Sequence, residues 1–483
     1  MHCERLPHAA AWLAKLGVPL AALTSDSRKA GPGIAFAAYP GTRHDGRQYI
    51  PQAIAAGTPA VFWEAGDFLW DPAWTVPNLA VPGLKAHIGE LAACVYGDPS
   101  SRLAMIGVTG TNGKTSVSHW IAQAMTRLGR PSVVVGTLGN GFAGRLSPAA
   151  NTTPDAAELQ AMLARYVAEG ARACAMEVSS HGLDQGRVNG CRFDVAVLTN
   201  LSRDHLDYHG SMEAYAAAKA GLFAWPGLGH AVLNLDDDFG KSLVGRTGSA
   251  RVVGYGTRQG EVRAEAVIER REGLLLVLDT AWGRGELEVP LLGRFNAYNL
   301  LAVLAVLLVS GIPFGEAVTA LAKVRPPAGR MQTLGGDGRP LVVVDYAHTP
   351  DALEKVLATL RPLAGKGRVI CVFGCGGNRD KGKRPLMGRA AQRGADLVFV
   401  TSDNPRHEDP LAIIADILQG VKTDSAHIEP DRARAIFEAV GAARAEDIVL
   451  IAGKGHEEYQ EIGDCRLPFS DAAVAEKALG ART

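Results

Sequence analysis

Residues 106–116 of this chain read IGVTGTNGKTS. The run LAMIGVTG reads as a short buried strand, and residues 115–128 have helical periodicity that stops before Gly129-Arg130-Pro131. Gly-Lys-Thr between a strand and a helix is the setting of a phosphate-binding loop. Backbone N–H groups at the helix start point to an anion, Lys114 neutralises charge, and the Thr115 hydroxyl is placed to coordinate Mg²⁺. The common loop carries a glycine where this chain has Val108. A plain strand-to-helix turn would account for small residues, but not for Gly-Lys-Thr in this setting.

Other chemical groups follow later strands. Glu177 ends CAMEV, and His205 lies in TNLSRDHLDYHG just past VAVLTN. Ligands of doubly wound sheets sit beyond the carboxyl ends of strands, so both could reach a metal held by Thr115. Each also has a plainer reading, as a surface carboxylate and as a hydrogen-bonded loop histidine. His205 and His209 are spaced like a zinc pair but lack the HExxH frame. Lys219, in the helical run MEAYAAAKAGLF, earns no role from spacing. Asn296 and Asn299 open the apolar helix FNAYNLLAVLAVLL, either as caps or as amides that read an adenine edge. Asp345, Tyr346 and His348 end the strand of VVVDYAHTPDAL, where an Asp suits ribose hydroxyls and a helix-entry turn fits equally well. In GCGGNRDKGKRPLMG and TSDNPRHEDP, Arg379 and Arg406 could hold carboxylates bidentately.

The elements that must position these groups form three blocks. The first runs to about residue 98, with strand-like GIAFAAYP and PAVFWEA around the helix-like PQAIAAG. The second starts at Leu103 and continues through SVVVGTL, ARACAMEVS, FDVAVLTN, HAVLNL and ARVVGYG to a hinge at residues 325–330. Strands alternating with helices indicate a parallel sheet covered on both faces. The third repeats the alternation with PLVVVDY, PDALEKVLATLRPL, RVICVFG, ADLVFVTS and EDIVLIAG, a second doubly wound α/β domain.

Composition agrees. The 483 residues suggest roughly two to four domains, and 47% hydrophobic with 21% charged residues is ordinary for a globular chain. Lys+Arg and Asp+Glu are both 50, so no broad basic face offers itself to nucleic acid. The seven cysteines form no paired framework, which favours a reducing compartment, and Cys371 and Cys375 read as buried thiols rather than a zinc pair. The N-terminus does not read as a signal peptide, and LLAVLAVLLV is too short to span a membrane and reads as a buried helix. A cytoplasmic protein is expected.

Taken together, in order and along nearly the whole chain, these motifs resemble the Mur ligase family. Its loop reads Gly-Thr-Asn-Gly-Lys-Thr, so Val108 marks a variant of the phosphate loop rather than a degenerate one. TSDSRKAGPGIAFAAYPGTRHDGRQYIPQAIAAG, NTTPD, EVSSHGLDQGRV and AGKGHEEYQ resemble the branch that adds the third residue of the stem peptide. The resemblance implies an α/β fold of three domains: a small UDP-binding domain (1–98), a central P-loop-type parallel-sheet ATPase domain (99–328) and a Rossmann-like amino-acid-binding domain (329–483). It implies an ATP- and Mg²⁺-dependent ligase. A D-Glu carboxylate of a UDP-N-acetylmuramoyl dipeptide would take the γ-phosphate, and the amine of meso-diaminopimelate would displace phosphate from that acyl phosphate. A monomer without nucleic-acid or membrane partners is expected.

Residue by residue, the resemblance gives Gly110, Thr111, Asn112, Gly113, Lys114, Thr115, Ser116, Asn296, Asn299, Arg330, Asp345 and His348 to the nucleotide. Thr115, Glu177, His205 and a carbamylated Lys219 would hold Mg²⁺, with Lys114, Lys219 and His205 as the catalytic set. Ser25, Ser27, Thr42, Arg43, His44, Asn151, Thr152, Thr153, Ser179, Gln185 and Arg187 would touch the UDP-sugar peptide. Ser25 and the Thr42-Arg43-His44 run depart from the family's usual residues, which points to backbone contacts there. Arg379, Asp403, Asn404, Pro405, Arg406, Gly453 and Glu457 would receive diaminopimelate. Arg406 suits its distal carboxylate and Glu457 its distal ammonium. Lysine has no distal carboxylate and would leave the arginine unpaired, so the lysine-adding counterpart is the nearer rival. A folylpolyglutamate-synthetase-like ligase shares part of the motif set but not the uridine-type first block. A nucleotide switch would not need two carboxylate-reading arginines, nor a small-acid kinase an amine site.

Overall fold

The computed structural model describes residues 5–41, 44–422 and 426–482. The chain forms two compact units. One comprises Met1–Arg263, Asp279–Gly283 and Tyr298–Ala320, the other Ala264–Leu278, Arg284–Ala297 and Leu321–Thr483.

The first unit opens on a parallel sheet of β1 (Ala22–Thr24), β2 (Ile34–Ala38), β3 (Val61–Trp63) and β4 (Asn78–Ala80), paired in that order. Helix Pro7–Leu16 starts on proline and stops at Gly17 in the left-handed conformation, both standard helix punctuation. Helix Leu84–Val95 buries Leu84, Ile88, Leu91 and Ala92 in the same core as Phe62 and Leu79.

A second sheet follows, built from β5 (Ala104–Thr109), β6 (Ser132–Gly136), β7 (Gly139–Phe142), β8 (Arg145–Ser147), β9 (Ala173–Glu177), β10 (Val195–Leu198), β11 (His230–Asn234) and β12 (Arg251–Gly256). Its spatial order in this unit is β12-β11-β10-β5-β9-β6-β7-β8. Strand β5 lies between β10 and β9, parallel to both, with Ile106 opposite Val195 and Val108 opposite Glu177. Strands buried on both faces read as continuous apolar runs, which is why β5, β6 and β9 to β12 were legible in the sequence and the short β7 and β8 were not. Helix Lys114–Arg127 packs Val117, Trp120, Ile121 and Met125 inward. Helix Arg294–Val309 is apolar all round, and Leu300–Val309 is almost wholly enclosed, as expected for a buried helix. Among the described residues no helix is long and apolar enough to cross a membrane.

Three consecutive strands escaped the sequence reading: β13 (Val262–Arg270), β14 (Gly273–Thr280) and β15 (Gly283–Val289). β13 and β15 intersperse charged residues with apolar ones, VRAEAVIER and GRGELEV, so no buried run marks them.

The second unit contains β16 (Gln332–Gly335), β17 (Leu341–Asp345), β18 (Val369–Phe373), β19 (Leu397–Val400), β20 (Ala426–Ile428) and β21 (Ile448–Ala452), in the order β16-β17-β21-β18-β19-β20. All pairs are parallel except β16 with β17. Register places Asp345, Ala452 and Phe373 side by side, so the segments leaving β17, β21 and β18 emerge together. β21 separates β17 from β18, and such a switch point opens a crevice at the carboxyl ends. A hairpin, β22 (Tyr459–Ile462) with β23 (Cys465–Pro468), follows. Cys371 and Cys375 are buried free thiols, as read.

One ion pair braces these carboxyl ends. Arg432 donates from Nε and Nη2 to Asp471 at 2.7 and 2.8 Å, and to the carbonyls of Ser402 and Ala452 at 3.2 and 3.0 Å. Both side chains are fully buried. Removing the carboxylate strands a buried cation. Asp471→Ala is therefore expected to cost roughly 3–5 kcal/mol, read as a lowered urea midpoint at unchanged m-value.

Candidate active site

The loop after β5 needs its two glycines. Gly110 has φ +142°, and a Cβ there would lie 1.9 Å from Thr199 Oγ1. Gly113 caps the helix at φ +88°, and a Cβ would lie 2.4 Å from Asn299 Oδ1. The loop is tied to the end of β10: Thr111 N donates to Asn200 O at 2.8 Å, Asn112 N to Asn200 Oδ1 at 3.1 Å, and Thr199 Oγ1 to Asn112 O at 2.6 Å. The amides of the following helical turn, which includes Thr115 and Ser116, have no acceptor within the helix and suit an anion. Lys114 Nζ folds back on the carbonyls of Gly110 and Thr111, 2.9 Å from each.

Register brings Glu177 to the same place. It is 1% exposed and accepts from Thr115 Oγ1 at 3.0 Å, Thr137 N at 3.0 Å and Thr137 Oγ1 at 3.1 Å. Thr152 Oγ1 lies 3.0 Å from Thr137 Oγ1. Thr153 Oγ1 donates to Glu177 O at 2.9 Å and also meets Ser179 Oγ at 3.1 Å. Hydroxyl and carboxylate oxygens suit Mg²⁺, which takes one or two carboxylates alongside phosphate oxygens. Among the described residues no cluster of three or more His, Cys, Asp or Glu could hold a metal alone.

Lys219 is buried, donates to Gly110 O at 2.8 Å and lies over the Tyr215 ring. Burial, with the Lys114 charge adding to it, lowers its pKa to about 6. His205, at φ +52°, stacks edge-on with His181 at 4.9 Å. Burial, then the lysines, depresses its pKa against the opposing pull of Asp204.

A cavity of about 230 Å³ lies nearby in the same unit, lined by Tyr39, Lys85, Asn151, Asp155, Gln185 and Arg187 among others. Arg187 is held by Gln185 Oε1 (3.0 and 2.7 Å) and Thr153 O (2.9 Å), and Ser25 Oγ reaches Asp155 at 3.2 Å. Ser27 and His44 do not line the cavity. Thr42 and Arg43 lie outside the described residues. Tyr39, Lys85, Asp155, Thr137 and Asn200 were not singled out from the sequence, since each becomes special only through its neighbours.

Asn296, in the second unit, donates to Leu292 O at 2.8 Å, whereas Asn299 lies against the loop in the first. Also in the second unit, Asp345 accepts from Met331 N at 2.8 Å and Ala347 N at 2.9 Å, yet burial raises its pKa. Arg330 lies over the Tyr346 ring, which also meets His348 and His456. Arg330 Nε and His456 Nδ1 are buried without a hydrogen-bond partner, and burial lowers the His456 pKa to about 4. Orphaned buried polar atoms of this kind are ones that a ligand or a water would satisfy.

Beyond β19, Asn404 Nδ2 donates to Glu457 Oε2 at 2.8 Å, and the fully buried Lys454 donates to Asn404 Oδ1 at 2.9 Å and Glu457 at 3.1 Å. Lys454 was passed over in AGKGHEEYQ because a lone lysine has no spacing signature. Gly453 at φ +115° leaves room for Asp403, 2.7 Å from where a Cβ would sit. Gly377 packs on the Pro405 carbonyl. Arg406 Nη1 donates to Gly377 O at 2.9 Å, and Arg379 is exposed with Nη1 3.2 Å from Asn378 O.

A phosphate loop on a parallel sheet, with a second doubly wound unit carrying paired cationic and anionic groups, defines a nucleotide-using α/β ligase. The chain matches the descriptions "Mur ligase family, catalytic domain" over residues 19–96, "Mur ligase middle domain" over 108–307 and "Mur ligase, glutamate ligase domain" over 329–455. It is 54% identical to the UDP-N-acetylmuramoyl-L-alanyl-D-glutamate--2,6-diaminopimelate ligase of Chromobacterium violaceum, covering 98% of this chain and 96% of that protein. The protein of that name from Pseudomonas aeruginosa is 54% identical, with 95% of each covered. A solved structure of a ligase of that name is 40% identical, with TM-score 0.74 over 96% of this chain and 95% of that one. The chain belongs to the Mur ligase family, whose members are ATP-dependent amide ligases.

Gly110→Ala would drive a methyl group into Thr199 and impose a φ that alanine rarely adopts. Nucleotide affinity by calorimetry is expected to fall at least about 30-fold, with the melting temperature lowered by a few degrees from the strain; unchanged affinity would show that the loop does not seat the phosphates.

Proposed function

We propose that this chain joins meso-2,6-diaminopimelate to UDP-N-acetylmuramoyl-L-alanyl-D-glutamate at the expense of ATP, in peptidoglycan precursor synthesis in the cytoplasm, as a monomer. The observation that carries the reading is that the second unit fixes two groups of opposite charge, Glu457 held by Asn404 and Lys454 and Arg406 held by Gly377 O and Glu461, one anion and one cation for a zwitterionic tail.

Three domains, residues 1–98, 99–328 and 329–483, divide the work. The cavity with Asn151, Gln185 and Arg187 takes the UDP-sugar dipeptide; contacts from Ser25, Thr152, Thr153 and Ser179, and from Ser27, Thr42, Arg43 and His44, are assigned by the family resemblance alone. Residues 110–116 cradle the phosphates, and Lys114 swings from its carbonyl partners to the transferring phosphoryl group. Asn296, Asn299, Arg330, Asp345 and His348 serve the nucleoside and its ribose. Arg379, Asp403, Asn404, Pro405, Arg406, Gly453 and Glu457 orient diaminopimelate so that its amine meets the acyl phosphate. Positioning and charge compensation supply the catalysis.

Thr115, Glu177, His205 and Lys219 would hold Mg²⁺, which would offset the negative charge that gathers on the phosphate oxygens as ATP passes its γ-phosphoryl group to the carboxylate and leaves as ADP. Lys219 fits that role as a carbamate. With its pKa lowered to about 6, the amine is neutral at physiological pH and adds to CO₂, releasing one proton and gaining an anionic oxygen ligand. In ¹³C-bicarbonate a carbamate resonance is expected for the intact chain and not for Lys219→Ala, growing as pH rises through about 6. Its absence at every pH would exclude the modification.

The function itself is tested by supplying ATP, Mg²⁺ and the UDP-dipeptide with either meso-diaminopimelate or L-lysine, and weighing the product. A tripeptide with diaminopimelate alone is expected, favoured by at least about 10²-fold in kcat/KM because lysine brings no distal carboxylate to Arg406. Equal use of lysine would overturn the specificity, and no amide product would overturn the function.

A further inference from the structure

The hairpin β22–β23 has no role in the scheme above, yet it is bound closely to the segment that carries Arg406. Arg406 N donates to Glu461 O at 3.0 Å, and Gly463 N donates to Arg406 O at 2.7 Å, a parallel bridge between Arg406 and Ile462. Glu461 N donates to Asn404 Oδ1 at 3.0 Å, and Gln460 Nε2 to Asp403 O at 2.7 Å. Arg406 has φ +52°, a left-handed conformation that costs free energy in a non-glycine residue and persists only where the surroundings impose it. The two backbone bonds from the hairpin supply that restraint.

The side chains continue the pattern. Glu461 Oε2 lies 2.8 Å from Arg406 Nε. The other oxygen, Oε1, accepts from Arg466 Nε at 2.9 Å and lies 2.8 Å from Arg466 Nη2. Arg406 Nη1 is spent on Gly377 O. The guanidinium is thus pinned through Nε and Nη1, and Nη2 takes part in none of these contacts. Nη2 is the remaining donor edge of Arg406 and suits a further carboxylate. Burial pulls the Glu461 carboxyl upward, but the two arginines outweigh it and hold the group below the usual carboxylate range, ionised at neutral pH.

We propose that Glu461 is a positioning residue that aims Arg406 at the distal carboxylate of the incoming amino acid, and so sets the preference for an acid-tailed over a neutral- or amine-tailed side chain. This rests on the function proposed above and adds to it a specificity determinant outside the residues that touch the amino acid. The hairpin is the frame, and Glu461 is its contact with the reading side chain.

The test is steady-state kinetics on the full chain, with meso-diaminopimelate and L-lysine as alternative acceptors. In Glu461→Gln an amide can accept from only one arginine and turns a donor toward the other, so Arg406 loses its aim. Expected are a KM for diaminopimelate raised about tenfold, kcat within about threefold, KM for ATP unchanged, and a diaminopimelate-over-lysine ratio of kcat/KM reduced about tenfold. Arg466→Gln leaves the Arg406–Glu461 contact in place and is expected to stay within about threefold of the parent in all of these. Glu461→Asp keeps the charge but shortens the reach, and is expected to raise the same KM; it carries the test should Glu461→Gln not fold. Three results would overturn the proposal: a lower KM for diaminopimelate in Glu461→Gln, which means simple repulsion of the substrate; an unchanged ratio; or an equal loss with both acceptors together with a lower melting temperature, which means a purely structural role. A parent chain with no preference for diaminopimelate is a different failure. It removes the functional reading, and this inference falls with it.

Discussion

The register of β5 against β9 and β10 is the constraint on which the phosphate site depends. With Val108 opposite Glu177 and Thr109 opposite Leu198, the loop after β5, the carboxylate ending β9 and the Thr199-Asn200 corner after β10 converge at one edge. A slip of one residue would turn Glu177 to the other face of the sheet and separate it from Thr115. Cys174 and Met176 of β9 and Ala196 and Leu198 of β10 are buried in one core, so a slip would have to repack it. Core packing thereby sets the distance between the Thr115 hydroxyl and its carboxylate.

The same logic runs through the second unit with different means. Its strands β17, β21 and β18 share a register, and the buried Arg432–Asp471 pair caps the carbonyls where β19 and β21 end. On that base a smaller polar network, Lys454 with Asn404 and Glu457, fixes an amide and a carboxylate in one orientation. Buried polar networks of this sort are costly unless every member is paired, and once paired they hold one geometry. A site that must recognise both ends of a zwitterion needs that rigidity more than it needs additional stability.

Charge is used sparingly and locally. The chain is neutral overall, but Lys114 and Lys219 both reach the Gly110 carbonyl, and burial, with the Lys114 charge adding to it, makes Lys219 a neutral amine at neutral pH. Burial acts in the opposite sense on Asp345, whose pKa is raised despite two backbone donors.

What the sequence determined by itself were the groups that announce themselves locally. Gly110 to Thr115, the apolar strands of both sheets and the enclosed helix around residues 300–309 could be read because periodicity and loop chemistry are short-range properties. The strands β13 and β15 could not, because mixed charged and apolar residues leave no run to recognise, and β14 between them was passed over despite its apolar run LLLVL. Thr137 and Glu461 carry no motif of their own, and Asn200 and Lys454 lie in TNLSRDHLDYHG and AGKGHEEYQ without standing out there. Each matters because folding places it against a residue far away in the chain, as Thr137 against Glu177 and Glu461 against Arg406. Lys219 is the clearest division: its presence on a helix was plain in the sequence, but its lowered pKa arises only from burial beside Lys114. Desolvation and proximity are properties of the packed chain, and only the tertiary structure could decide them.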